Sequence, residues 1–274
     1  MSSAYDLLIV ATEKLIKLKD HPDWCGELPT MCPPIVWFGN SLSSLPKVVT
    51  IGANPSRWEY LNRKDCSLLI PPRFYHLVHG EDLEDVFDNE ELRNRIIAGY
   101  DQYFLKNPYK KWFGKAGGNS YNVQGFLSVL GASYYEEAGC KYQAIHIDLF
   151  PFATMTDYNR LRSVVSRDLF ETDWSQRFIR RLFSWLNPQL LIIFGRGNTA
   201  AFKKYFDQTL ELDYITYDHA LCSAGYSLEQ GVLLDAPTLS LTTNLGNPKG
   251  FTSKSLKEYG RFIQNELLTK NQQG

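Results

Sequence analysis

The chain has 274 residues, of which 44% are hydrophobic and 22% charged, and a formal net charge of −1. This is the composition of a globular protein with a sizeable core, and its near-neutral balance argues against a broad electrostatic grip on nucleic acid while leaving room for a local basic patch. No run of about 18 apolar residues occurs, so no membrane span is expected, and the N-terminus lacks the basic-then-apolar order of a secretion signal.

Five cysteines, an odd number, fit a reducing cytoplasm better than a disulfide framework. Cys25, Cys32, Cys66 and Cys140 contain no C-x-x-C pair. Neither a metal nor any other cofactor is expected.

In chain order, "SAYDLLIVATEKLIKLKD" has apolar residues at helical spacing and predicts an opening helix. A Pro- and Cys-rich connection leads to "VVTIGANPS", where the apolar run Val48–Ile51 reads as a buried strand entering a tight loop. Residues 57–120 are polar and aromatic, with helical patches such as "EDLEDVFDNEELRNRIIAGYDQYF". "NVQGFLSVLGASYYEEA" reads as a helix, and "AIHIDLFPF" as a second buried strand running into a turn. "WSQRFIRRLFSWL" is an amphipathic helix. "QLLIIFGRGNTAAFKKYF" gives a third strand, a glycine turn and a helix. "APTLSLTTNLGNPKGF" gives a fourth strand and a loop, and "TSKSLKEYGRFIQNELL" a closing helix capped by Thr252 or Ser253.

Strands alternating with helices predict an α/β fold. The expected form is a three-layer sandwich around a mostly parallel four-stranded sheet. The whole chain, 1–274, reads as one domain and one monomer, with a core over 45–267 and a lead-in over 1–44.

In such a sheet, ligands bind outside the carboxyl ends of the strands. The informative segments stand there: "GANPS", "DLFPFAT", "GRGNTA" and "TTNLGNPKGF". No Walker lysine motif appears, no G-x-G-x-x-G follows the first strand, and no G-x-S-x-G elbow occurs, which argues against phosphate-cradling nucleotide folds and serine hydrolases.

Gly52, Ala53, Asn54 and Pro55, together with Asn247, Pro248, Lys249, Gly250 and Phe251 before the last helix, resemble the two signature motifs of the uracil-DNA glycosylase superfamily. The mismatch-specific uracil/thymine branch is most similar, with G-x-N-P in the first motif and N-P-S-G-L in the second. Lys249 stands where that family usually has serine, and Phe251 where it has leucine. The resemblance implies a monofunctional DNA glycosylase acting in base-excision repair, with a nucleotide of DNA flipped into a pocket lined by Gly52, Ala53 and Pro55. Asn54 would position the attacking water and Asn247 would join it as a catalytic residue. Lys249, Gly250 and Phe251 would face DNA, with Phe251 as a wedge and Lys249 at a phosphate. A non-catalytic nucleobase or nucleic-acid binder on the same fold is the alternative.

The remaining candidates have plainer readings beside them. Asn54 can simply shape an Asn-Pro turn. Asp148 stands where the superfamily often has an asparagine that reads uracil. An ionised aspartate only accepts hydrogen bonds and favours an amino group, unless it caps a loop or pairs with an arginine. His146 is expected on the opposite face of that strand, as a satisfied core histidine. Phe74 and Tyr75 are the first choice for stacking on the base, with Trp112 and Phe113, beside Lys110, Lys111 and Lys115, as the second. Arg196 and Asn198 offer a phosphate contact at a helix start, or an ordinary helix cap.

Overall fold

The computed structural model describes residues 3–117, 122–156, 158–206, 212–217, 226–241 and 252–265. It begins with α1 (Ala4–Lys19), β1 (Lys47–Gly52), α2 (Glu90–Asp101), α3 (Lys110–Phe113) and α4 (Val123–Val129). Next come β2 (Ala132–Ser133), β3 (Tyr142–Asp148), α5 (Tyr158–Val165), α6 (Asp173–Leu186), β4 (Pro188–Phe194) and α7 (Arg196–Tyr205). β5 (Leu212–Tyr217), β6 (Tyr226–Leu233), β7 (Ala236–Leu241) and α8 (Ser253–Ile263) complete it.

The fold is α/β: helices flank a mixed seven-stranded sheet in the order β2-β3-β1-β4-β7-β6-β5. The first five strands are parallel; β6 and β5 are antiparallel. The four strands expected from the sequence are β1, β3, β4 and β7, and they lie side by side in the parallel part. Their apolar runs are buried nearly throughout, as inner parallel strands require. The additional strands carry weaker signals. In β6 the polar, partly exposed Glu229 and Gln230 stand between buried Leu228 and Leu233, so it presents no continuous apolar run.

The helices follow local rules. Ser3 and Asp6 form a capping box at the start of α1, whose Leu7, Leu8, Ala11, Leu15 and Leu18 are buried. α6 buries Phe178, Ile179, Leu182, Phe183 and Leu186 and ends at Asn187 in the left-handed region. Thr252 caps α8. The helix expected over "NVQGFLSVLGASYYEEA" is shorter than that pattern. α4 stops at Val129, Gly131 takes φ 75°, and Ala132–Ser133 turn into the edge strand β2.

The lead-in over 1–44 is built into the core. Ile35, Val36, Trp37 and Phe38 are buried. Phe38 exchanges backbone hydrogen bonds of 2.8 and 3.0 Å with His146, so it covers the side of β3 that the two-residue β2 leaves open. Beneath lies an aromatic cluster. Phe104 stacks on Tyr134 at 4.5 Å and meets Tyr103, Phe113 and Tyr135 edge-on, while Phe38 meets Phe74 and Tyr103 edge-on.

Among the described residues no helix is long and apolar enough to cross a membrane, and no group of three or more His, Cys, Asp or Glu stands close enough to hold a metal ion.

Phe104 joins four other rings in this cluster. Phe104→Ala is expected to destabilise the fold by about 3–5 kcal/mol, measured by chemical denaturation; a loss under about 1 kcal/mol would show that the cluster does not carry the core.

Candidate functional site

β1, β3 and β4 end at the same level. Gly52 of β1 is in register with Asp148 of β3, and Ile51 with Ile193 of β4. A cavity of about 430 Å³ opens over these ends, where α/β sheets hold their ligands.

Gly52 to Ser56 supply its floor, with Glu59 beyond them. His146 and Asp148 enter from β3, and Phe194, Gly195, Gly197 and Asn198 from β4 and α7. Phe38, Tyr109, Trp112 and Phe113 make the aromatic wall.

The two main loops run side by side. Leu149 donates its backbone N–H to the Gly52 carbonyl and Phe150 to that of Ala53, and Ser56 pairs with Thr154. This brings Thr154 to Asn54. The Asn54 amide nitrogen donates to the Pro55 carbonyl at 3.0 Å and to the Thr154 hydroxyl at 3.1 Å. Thr154 donates its own proton to the Thr156 carbonyl at 2.7 Å. A carbonyl only accepts, so the amide is locked in one orientation. Its Oδ1 has no hydrogen-bond partner among the described residues, and Asn54 lines the cavity.

Gly52 lies close under the side chains of β3. A Cβ there would lie 2.4 Å from Asp148 Oδ1 and 3.1 Å from His146 Nε2. Any side chain would displace the two groups that the strand end presents.

His146 and Asp148 both line the cavity, contrary to the expectation of opposite faces. Residues two apart on a strand share a face. His146 Nε2 lies 3.5 Å from Asp148 Oδ1. On its other side, His146 Nδ1 is 2.9 Å from the Thr50 hydroxyl, which is 2.6 Å from Tyr134. No hydrogen bond reaches the buried Asp148 side chain among the described residues, and no arginine pairs with it.

Glu59 was not singled out from the sequence. It closes a single 3-10 turn, Arg57–Glu59, capped by the Ser56 hydroxyl, and only 4% of its surface is exposed. The Tyr103 hydroxyl accepts from the backbone N–H of Tyr109 and donates to Glu59 Oε2 at 2.8 Å. Arg73 stands 3.8 Å from the same oxygen. Burial pushes the Glu59 carboxyl up to about 7, against the pull of Arg73 and the Tyr103 hydrogen bond; the Asp148 charge adds to the rise. The available signal was a lone acidic residue between Trp58 and Tyr60, five positions after Asn54.

Phe74 and Tyr75 do not reach the cavity. Phe74 is 1% exposed and stacks on Tyr103 at 4.6 Å, inside the core. Tyr75 donates to Glu81 at 2.6 Å, below the ring's contact with Arg95. Their place in the aromatic wall is taken by Trp112 and Phe113. Asn198 lines the cavity, but it is not the helix cap. Gly195 holds that position, and Asn198 donates to the Phe194 carbonyl at 2.8 Å. Arg196 is exposed and absent from the lining. Asn247, Lys249, Gly250 and Phe251 lie outside the described residues.

Beside the mouth, cations and rings interleave. Arg57 lies 4.3 Å from the Trp58 ring, Arg63 bridges Trp58 and Tyr109 at 5.5 and 5.2 Å, and Arg73 approaches Tyr109 at 5.0 Å. No protein-family model matches the chain, and no curated protein matches it.

Glu59 binds its proton more tightly when folded than at its ordinary value of 4.5. The resulting contribution to stability is fully present below about pH 4.5 and is lost as pH rises to about 7, amounting to roughly 3 kcal/mol. Glu59→Gln is expected to flatten stability over this window, read from denaturant midpoints at pH 5 and 8. An unchanged pH dependence would show that Glu59 is charged throughout.

Proposed function

We propose that the chain is a monofunctional DNA glycosylase of the uracil-DNA glycosylase type, hydrolysing the bond between a base and its sugar. The observation that carries this reading is the locked amide of Asn54 beside a cavity of about 430 Å³ with an aromatic wall. The two-motif resemblance and the parallel strands leading into the cavity add to it.

In this mechanism the nucleotide is flipped out of the stack and its base enters between the aromatic groups of the wall. The C–N bond breaks with its electron pair leaving on the base, the sugar gains positive character, and a water adds to the sugar carbon and gives up a proton, through solvent, to the departing base. Asn54 accepts a hydrogen bond from that water through Oδ1. An amide takes no proton at neutral pH, so its contribution is position. Thr154 and Pro55 supply the constraint that makes the position exact enough to matter. Asn247, Lys249, Gly250 and Phe251 enter on the resemblance alone, as the DNA-facing segment. The interleaved arginines and rings of Arg57, Trp58, Arg63 and Tyr109 suit the strand on either side of the flipped nucleotide.

A panel of single- and double-stranded oligonucleotides carrying uracil, mismatched thymine, hypoxanthine or modified cytosines tests this by abasic-site formation. Asn54→Ala is expected to lower base release by about 100-fold. Thr154→Val, which leaves the amide nitrogen one acceptor short, is expected to lower it by about tenfold with the fold intact. Release indifferent to Asn54→Ala would overturn the mechanism. A folded protein that binds DNA and releases no base would instead be the binding module.

A further inference from the structure

We infer that the base taken by this cavity carries an exocyclic amino group next to a ring nitrogen, the edge found in cytosine and adenine derivatives, and that Asp148 and Glu59 read it. The inference rests on the reading of the cavity as a base pocket.

Two carboxyl groups line one small cavity, and neither has its hydrogen-bonding capacity filled. Asp148 is 5% exposed, and no hydrogen bond reaches its side chain among the described residues. Beyond the His146 ring at 3.5 Å, its acceptor capacity is open to a donor carried by what fills the cavity. Glu59 has Oε2 occupied by Tyr103, while Oε1 has no hydrogen-bond partner among the described residues.

The Asn54 amide has both its N–H groups engaged, and Asn198 has one. Asn54 gives its N–H groups to Pro55 and Thr154, and Asn198 donates to Phe194. The Asn54 amide therefore has no N–H left for a carbonyl oxygen on the base. In the orientation that sets the amino group of cytosine against Asp148, uracil or thymine sets a carbonyl oxygen against that carboxyl instead. An amino group beside a ring nitrogen offers a donor to Asp148 and an acceptor to Glu59. Glu59 can fill that second role because burial keeps its carboxyl protonated up to near neutrality. A neutral acid hydrogen-bonded to the ring nitrogen also eases the negative charge that the leaving base takes on. This offsets the repulsion that Asp148 alone would exert.

His146 and Gly52 make the arrangement specific. The His146 ring holds one side of Asp148 at 3.5 Å, steadied from behind by Thr50 and Tyr134, and the absent Cβ of Gly52 leaves room for the carboxyl.

The test is binding of free bases to the full chain, followed by quenching of tryptophan fluorescence, with Trp112 in the wall as reporter. Cytosine, 5-methylcytosine and adenine are compared with uracil and thymine. The amino bases are expected to bind about tenfold tighter or better, a difference of one hydrogen-bonded pair. Asp148→Asn is expected to reverse the order toward uracil, because an amide can donate to a carbonyl. Glu59→Gln, which keeps the shape of the side chain, is expected to narrow the preference without reversing it, and supplies the answer if Asp148→Asn does not fold. Equal binding of both classes, or binding of neither, overturns the inference. An amino-base preference without base release from any oligonucleotide would keep the inference and remove the glycosylase reading. Release of uracil with no amino-base preference would do the opposite.

Discussion

Everything at the ligand end of this sheet depends on one missing atom. Gly52 is in register with Asp148, and a Cβ on it would fall 2.4 Å from the Asp148 carboxyl. Because that atom is absent, Asp148 and His146 turn over the end of β1 rather than away from it. The same close approach lets the loop after β1 run alongside the loop after β3, joined by the bonds from Leu149 and Phe150. That parallel course delivers Thr154 to Asn54 and, after one tight turn, brings Glu59 to the far side of the cavity. A larger residue at position 52 would press on the Asp148 carboxyl and the His146 ring.

The cavity that results has two chemical characters. At the loop after β1 it presents an amide oxygen held by two bonds on the other end of the same amide. It also presents two carboxyls: Glu59, raised by burial, and Asp148, whose side chain receives no hydrogen bond among the described residues. Between them stand rings that offer faces and edges but few hydrogen bonds. Such a site orients a flat, polar molecule in one direction. The sugar side and the base side of a nucleotide differ in the same sense.

Much of the architecture was legible in the chain. Val48–Ile51, the run in "AIHIDLF", "LLIIF" and "TLSL" are apolar on both sides because they are inner parallel strands, and burial on both faces leaves a continuous apolar signature. The loops at their ends were legible for the same reason: they break the runs with Gly, Asn and Pro. The antiparallel β5 and β6 were not, since a strand half exposed to water has no such run. Phe74 was misread because stacking on a base and stacking on Tyr103 demand the same residue type, and only the packing distinguishes them. Glu59 was missed because its character comes from burial, which is decided by residues such as Tyr103 and Phe113 far along the chain. His146 needed only the two-residue period of a strand to be placed correctly.

The bridge between Phe38 and His146 has a further consequence. Residues contributed by the lead-in, by the loop after β1, by α3, by β3 and by α7 meet in this cavity, from distant parts of the chain. Such contacts close large loops and form late as the chain folds. Before the segment holding Phe38 seats against β3, the cavity lacks a wall. Occupation of the site is therefore linked to closure of the whole fold: a molecule bound there favours the closed chain in proportion to its concentration over its dissociation constant. A cut in the connection between α1 and β1, far from Asn54 in sequence, would loosen the grip on that molecule.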